Sequence, residues 1–361
     1  MRIAYVINSL EGGGAAFPVP DITRAMRDAG AEVRILALTR RDGRALAAME
    51  RAGLTVRVRE GGERDHLAAA RWIDREAREW GATHLWTSLT RATLLGLAVG
   101  KLRGLPVASW QHNAFLKPAN RRLLRAMQPL AALWVGDSAA VTELTARRLA
   151  VPRDRLACWP IFAARPDAPA ARPWRPGELL RLGSLGRLHP AKGYDVLIEA
   201  LAILHAQGFT PPVPFEVAIA GEGAERAALE AQARAAGIAN LAFTGFAGDP
   251  LAFLAGLHLY LQPSRVEGLC IAAHQAMQAG LPVLGTATGE MPHTIVSGRS
   301  GEIVPPGDAP ALADALARLL GRPENLAEMG AASRERVLGR FGPEVFAATG
   351  AALVERLGKA A

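Results

Sequence analysis

The stretch Ser184-Leu185-Gly186-Arg187-Leu188-His189-Pro190-Ala191-Lys192-Gly193 carries two cations, Arg187 and Lys192, in a short glycine-bounded segment. An apolar run at 180–185 precedes it and a helical pattern at 194–207 follows. Two fixed positive charges beside a helix N-terminus, whose first amides lack intrahelical partners, make a site for a diphosphate. The competing reading is an ordinary surface loop with two basic residues. Further on, Pro263-Ser264-Arg265-Val266-Glu267-Gly268-Leu269 runs into a second helical pattern at 271–279. The first amides of that helix can take an anion, while the Glu267 carboxylate accepts hydrogen bonds from the hydroxyls of a bound sugar. The competing reading is that Glu267 only complements the helix dipole.

The elements that must position these residues follow a βα rhythm. Residues 3–7 form an apolar run without alternation, the pattern of a parallel strand buried on both faces. Further strands are predicted at 32–38, 54–58, 83–88, 107–110 and 133–136, with helices at 21–29 and 66–80. Pro166, Pro169, Pro173 and Pro176 are too many for any element interior, so 166–177 reads as a linker. The rhythm then restarts. Strands are predicted at 180–185, 215–220, 241–244, 257–261 and 283–286, and helices at 194–207, 224–236, 271–279, 310–320, 326–338 and 343–357. This predicts an α/β protein of two doubly wound parallel-sheet domains: 1–165, then the linker 166–177, then 178–340. Residues 341–361 form a C-terminal helix able to pack back on the first domain. Ligands of such sheets bind beyond the carboxyl ends of the strands.

Bulk properties agree with two domains. The chain has 361 residues, half of them hydrophobic, which exceeds the roughly 250–300 residues at which single cores stop growing. The net charge of +8 is uneven: residues 1–165 hold 26 Lys plus Arg against 15 Asp plus Glu, and residues 166–361 hold 16 against 19. The first half is thus drawn to phosphates or an anionic bilayer, although an Arg-rich solvated surface accounts for the same count. The segment 120–130 sets Arg121, Arg122 and Arg125 among Leu123, Leu124, Met127 and Leu130. As a helix it can lie on an anionic membrane or simply pack on the sheet. Cys158 and Cys270 fit no metal-ligand spacing, and a reducing, cytoplasmic location follows. The N-terminal apolar run ends at Asn8, too early for a signal-peptide core, and no window nears the ~20 apolar residues of a spanning helix.

Taken together, the two loops and the residues between them resemble glycosyltransferase family 4, a large family of retaining GT-B enzymes. The resemblance rests on Gly186-Arg187 with Lys192-Gly193, on Gly221-Glu222-Gly223, on Phe243-Thr244-Gly245-Phe246 and on Pro263-Ser264 with Glu267-Gly268. Gly280-Leu281-Pro282-Val283, Thr288-Gly289-Glu290-Met291-Pro292 and the segment from Gly301 to Asp308 also match, so that 180–340 is covered almost throughout. The resemblance implies a GT-B fold, in which two Rossmann-like domains face each other across a cleft. It also implies sugar transfer from a nucleotide-diphosphate donor, UDP- or GDP-linked, to a glycan or lipid-linked hydroxyl acceptor in bacterial surface glycan assembly. Lipopolysaccharide and exopolysaccharide are the products in view. By the same resemblance, Arg187 and Lys192 bind the donor diphosphate, so that no metal and no other cofactor is required. Glu267 takes the sugar hydroxyls, with Ser264 beside it, and the amides near Gly268 and Leu269 take phosphate. The turn at Glu222 and the strand end near Phe246 hold the base, with Gly186 lining the loop.

Two departures stand out. The family places a second glutamate eight positions after the first, where it holds the ribose; here that position is Gln275. An amide still accepts through its carbonyl but without charge assistance. Cys270 stands where the family often has glycine, and reads as a small buried side chain. In the first half, Gly12-Gly13-Gly14 resembles the family's N-terminal glycine loop, where Gly13 and Gly14 allow close approach to the donor. Phe17-Pro18-Val19-Pro20 interrupts the helix that relatives start there. Trp110-Gln111-His112-Asn113 ends a strand, and by the resemblance His112 faces the donor sugar; a satisfied structural histidine is the alternative.

Other classes weigh less. A nicotinamide-dependent oxidoreductase needs G-x-G-x-x-G after the first strand and an acid ending the second, but the second strand ends in Thr39-Arg40-Arg41. A non-catalytic nucleotide-sugar sensor or partner subunit is kept alive by Gln275. A nucleic-acid partner is not expected, since no reading module is visible.

Overall fold

The computed structural model describes residues 1–112 and 116–360; Asn113, read above beside His112, lies outside them. Two compact units divide the chain. One comprises Met1–Ala163 with Pro343–Ala361, the other Ala164–Gly342.

The first unit contains β1 (Arg2–Ile7), α1 (Val19–Asp28), β2 (Glu32–Ala37), α2 (Leu46–Arg51), β3 (Thr55–Val58), α3 (His66–Trp80) and β4 (His84–Ser88). It continues through α4 (Thr90–Arg103), β5 (Val107–Gln111), α5 (Pro118–Met127), β6 (Leu133–Gly136), α6 (Ala139–Leu149) and β7 (Leu156–Cys158). The strands form one parallel sheet in the order β3-β2-β1-β4-β5-β6-β7, so the order reverses between β1 and β4. The apolar run of β1 is buried because it sits at that centre. Helix α1 starts at Val19, with Pro18 as its N-cap and Pro20 in its first turn. The two prolines therefore open this helix rather than interrupt it, since an N–H missing there has no intrahelical partner to lose.

The second unit contains β8 (Leu180–Leu185), α7 (Tyr194–Ala206), β9 (Phe215–Ala220), α8 (Arg226–Ala235), β10 (Leu241–Gly245), α9 (Pro250–Ala255) and β11 (Leu259–Gln262). It continues through α10 (Ile271–Gln278), β12 (Val283–Thr286), α11 (Met291–Thr294), β13 (Gly301–Val304), α12 (Ala309–Leu320) and α13 (Leu326–Phe341). Its parallel sheet has the order β10-β9-β8-β11-β12-β13, reversing between β8 and β11. The proline-rich segment 166–177 is not a free tether but lies against this unit. Ala171 N donates to Ala279 O at 2.7 Å, and Arg334 reaches the carbonyl of Pro166 at 2.5 Å.

The last helix, α14 (Pro343–Gly358), groups with the first unit and packs on α1. Trp159, fully buried, stacks on Trp110 with centroids 4.7 Å apart and meets Trp86 edge-on. Its Nε1 donates to the Phe346 carbonyl at 3.1 Å, which ties α14 to the sheet. Arg356 does the same at the helix's other end, through the Leu156 carbonyl at 3.0 Å. Replacing Trp159 with alanine removes both stacking and tether. Trp159→Ala is expected to lower stability by about 3–5 kcal/mol, read as a shifted denaturant midpoint with an unchanged slope.

Candidate functional site

In the second unit the strand-order reversal puts the ends of β8 and β11 side by side, and the two predicted loops leave from them. Residue 193 must be glycine for two reasons. Its φ is +67°, and a Cβ there would sit 2.1 Å from the carbonyl oxygen of Pro263. The loops are then sewn together. Arg265 N donates to Ala191 O at 2.8 Å, and the Arg265 guanidinium grips both oxygens of Asp195 at 2.6 Å each and the Pro190 carbonyl at 3.1 Å. That fork holds the Asp195 carboxyl below its ordinary pKa.

This stitching brings Lys192, Ser264 and Glu267 together. Lys192 Nζ lies 2.7 Å from Glu267 Oε1, and Ser264 Oγ donates to the same oxygen at 2.6 Å. Both side chains are largely covered, Lys192 to 22% exposure and Glu267 to 10%. Burial works against the ammonium's charge, but the neighbouring carboxylate outweighs it and the Lys192 pKa is raised. Lys192 thus stays charged, with two of its three N–H donors beyond the one that Glu267 takes. Gly186 makes room for the Tyr194 hydroxyl, which a Cβ there would meet at 2.8 Å, and the Lys192 stem passes at ordinary contact distance. Arg187 is exposed on the same loop and has no acidic partner in the second unit among the described residues.

The predicted base-side residues lie against this loop. Leu188 N donates to Glu222 O at 2.9 Å, and Gly221 N donates to Gly245 O at 2.7 Å, one residue before the exposed Phe246. On the other flank, Glu290 N donates to Gly268 O at 2.9 Å. Leu269 is buried, and Cys270 caps α10 with φ +66°, the left-handed region. That conformation explains why glycine suits the position. Burial first and then Glu267 push the Cys270 thiol up, so it is an uncharged small side chain. Gln275 is half-buried on α10, and its amide has no side-chain partner among the described residues.

In the first unit, Gly12 N donates to Asp42 Oδ1 at 2.9 Å, and a Cβ on Gly13 would meet nothing, so Gly13 borders open space. Gly14 is exposed in the turn that leads to α1. His112 follows β5. Its Nε2 lies 2.7 Å from Ser88 Oγ at the end of β4, and its Nδ1 lies 3.6 Å from Asp137 Oδ2 after β6. Nδ1 has no hydrogen-bond partner among the described residues. The ring is therefore held by one hydrogen bond to the end of β4 and faces the carboxylate that follows β6.

Several residues escaped the sequence reading. Tyr260, Gln262, Asp195 and Arg265 in the second unit, and Ser88 and Asp137 in the first, have no motif of their own. Only the period-2 placement of Tyr260, Gln262 and Ser264 on one side of a buried strand hints at a shared face.

A doubly wound sheet whose reversal point gathers a largely covered lysine, a carboxylate and an exposed arginine has the chemistry to take an anion. Residues 173–336, nearly all of the second unit, match the family model for glycosyl transferases group 1. Among curated relatives, a mannosyltransferase of Mycolicibacterium smegmatis, named as GDP-mannose-dependent and acting on phosphatidylinositol monomannoside, is 34% identical over 49% of this chain and 48% of its own. The putative colanic acid biosynthesis glycosyltransferase WcaL of Escherichia coli is 28% identical over 73% of this chain and 66% of its own. The chain thus spans about half to two thirds of the length of these relatives. Among solved structures, Anabaena HepE in complex with UDP-glucose superposes with a TM-score of 0.83 at 19% identity, covering 98% of this chain and 99% of that one. The fold is GT-B, with two Rossmann-like α/β domains in one chain.

Beneath the site, His274 is fully enclosed: Nδ1 contacts Cys270 O at 2.9 Å, Nε2 contacts Thr294 Oγ1 at 3.1 Å, and Phe341 packs edge-on. Burial lowers its pKa to about 4. The unfolded chain takes up a proton near pH 6.5 and the folded one only near pH 4, so stability falls as pH drops through that window. The expected loss is roughly 3 kcal/mol, and His274→Gln should flatten this part of a stability-versus-pH curve.

Proposed function

We propose that this chain is a retaining glycosyltransferase that moves a sugar from a UDP- or GDP-linked donor to a hydroxyl of a glycan or lipid-linked acceptor. The observation that carries the reading is the Lys192–Glu267 pair at the reversal point of the second sheet. A covered, charged ammonium with spare donors suits a diphosphate, and a carboxylate beside it suits the hydroxyls of the attached sugar. The names of the relatives support the donor class, and colanic acid among them supports assembly of a bacterial surface glycan, exopolysaccharide or lipopolysaccharide.

In this mechanism the bond from the anomeric carbon to the diphosphate oxygen breaks. Lys192 and Arg187 offset the charge that develops on the leaving diphosphate, the part a divalent metal plays elsewhere. The acceptor oxygen attacks on the same face, and its proton passes to the departing phosphate oxygen. Retention follows without a protein nucleophile. Glu267 orients the sugar, Glu222 and Phe246 flank the base, and Gln275 takes the ribose through its carbonyl; His112 is the first unit's candidate for contact with the sugar. Gly186 and Gly268 complete the donor surface of the second unit, with Ser264 and Leu269 supporting it from beneath, and Gly13 and Gly14 are the proposed donor contacts of the first unit.

The reading extends to a cytoplasmic enzyme working at the inner face of the membrane. Among the described residues no helix is long and apolar enough to cross one. Residues 80–136 hold seven Lys plus Arg and no Asp or Glu. Within that stretch α5 buries only Leu124 and leaves Leu123 52% exposed beside Arg121, Arg122 and Arg125. A cationic helix with an outward leucine suits an anionic bilayer.

Lys192→Ala is expected to cut kcat/KM by about a hundredfold or more while the melting temperature moves by only a few degrees. Transfer should persist in excess EDTA. A fully active, normally folded Lys192→Ala enzyme contradicts the assignment. Nucleotide binding by the natural chain without any transfer favours the sensor reading that rests on Gln275. In sedimentation with phosphatidylglycerol vesicles, the protein should pellet at low salt. The triple change Arg121→Glu, Arg122→Glu and Arg125→Glu should leave it in the supernatant.

A further inference from the structure

The carboxylate of Glu267 is approached from one side only. Lys192 Nζ at 2.7 Å, Ser264 Oγ at 2.6 Å and Gln262 Nε2 at 3.3 Å all converge on Oε1. Among the described residues no N–H or O–H reaches Oε2, and the remaining neighbour of the carboxylate is the Cys270 thiol, a weak donor. Below the carboxylate runs a chain of fully buried polar groups. Leu185 N donates to Tyr260 OH at 3.0 Å, Tyr260 OH donates to Gln262 Oε1 at 2.9 Å, and Gln262 Nε2 donates to Ser264 Oγ at 2.8 Å. Gln262, Tyr260 and Ser264 have no exposed surface.

The direction of this chain is set by chemistry. With its amide turned over, Gln262 would aim a carbonyl oxygen at the Glu267 carboxylate and at Ser264 Oγ, whose one proton already goes to Glu267, whereas the Tyr260 hydroxyl, 3.2 Å from the Leu185 carbonyl, is served either way. The observed orientation satisfies every group, and a satisfied buried network of this kind holds one geometry. The Leu185 amide belongs to the last residue of β8, and Tyr260 and Gln262 lie on β11. The position of Glu267 is therefore referred back to the two central strands rather than to its own loop.

We infer that Gln262 is a positioning residue: through Tyr260 and Ser264 it fastens Oε1 of Glu267 and reserves Oε2 as the acceptor for a hydroxyl of the donor sugar. The inference rests on the proposed donor site and adds to it a division of labour. Lys192 and Arg187 hold the diphosphate, and the Gln262 chain governs only the sugar end. Loss of Gln262 should therefore weaken recognition of the sugar without weakening that of the nucleotide.

Calorimetric titration with UDP, GDP, UDP-glucose and GDP-mannose tests this. For the base that binds, the ratio of the dissociation constants of sugar nucleotide and bare nucleoside diphosphate is the readout. Gln262→Met, similar in volume but without the amide, is expected to worsen that ratio about tenfold, with the affinity for the bare diphosphate held within about twofold. Ser264→Ala should shift the ratio in the same direction, and it carries the test alone if Gln262→Met does not fold. Generalised damage lowers both affinities together and leaves the ratio alone. An unchanged ratio in both variants, or a parallel loss of both ligands, overturns the inference while leaving the donor site intact. Wild-type protein that binds none of the four compounds overturns the donor site itself, and this inference with it.

Discussion

A largely covered ammonium group must have a counter-charge, and in this protein Glu267 supplies it to Lys192. Most of the local architecture follows from keeping those two side chains 2.7 Å apart. The loops that carry them must touch, which requires glycine at 193. The Tyr194 hydroxyl passes close to the chain beside the lysine, which requires glycine at 186. The Arg265–Asp195 fork then fixes the spacing from outside, and the polar chain under Glu267 fixes it from inside. Such a pair is a weak source of stability, because desolvation offsets its attraction. Its value lies in presenting a fixed cation and a fixed acceptor at the end of a sheet, where strand order opens a place for a ligand.

The two units apply one topology to different ends. In the second, the reversal point is lined by charge. In the first it is lined by glycines and by a histidine gripped by Ser88 and faced by Asp137. These two partners come from the ends of β4 and β6, the neighbours of β5 on either side, so the ring is placed by the sheet as well as by its own loop. The positive stretch 80–136 lies in the same unit and presents α5 outward, with nearly all its side chains uncovered. Helix α14, which returns to this unit from the far end of the chain, is held by Trp159 and Arg356, two side chains reaching its backbone or receiving it.

The departures from the family pattern have local explanations of unequal depth. Cys270 tolerates a left-handed backbone that glycine would adopt freely, and its thiol stays neutral because it is buried beside a carboxylate. Gln275 puts an amide on α10 where the family has its second glutamate. Nothing in the structure compensates for it among the described residues.

The sequence by itself determined the class. Short apolar runs without alternation, alternating with helical stretches of ten to fifteen residues, match buried parallel strands joined by crossovers, so two doubly wound sheets were legible from the pattern. The loops with Lys192 and Glu267 were legible too, because glycine, proline and charge cluster there with fixed spacing. Helices α2, α4, α6, α9 and α11 and strands β7 and β13 were not: α2 and α9 have six residues and α11 four, the strands have three and four, and α4 is buried on several faces, so it shows no apolar stripe. The proline-rich segment read as a tether, yet it donates to Ala279 and is gripped by Arg334, contacts that composition does not reveal. Only the tertiary structure decided what surrounds the charged pair. Which atoms meet across β8 and β11 depends on a crossover of more than seventy residues, and a hydrogen bond from Leu185 to Tyr260 leaves no trace in the local pattern of either strand.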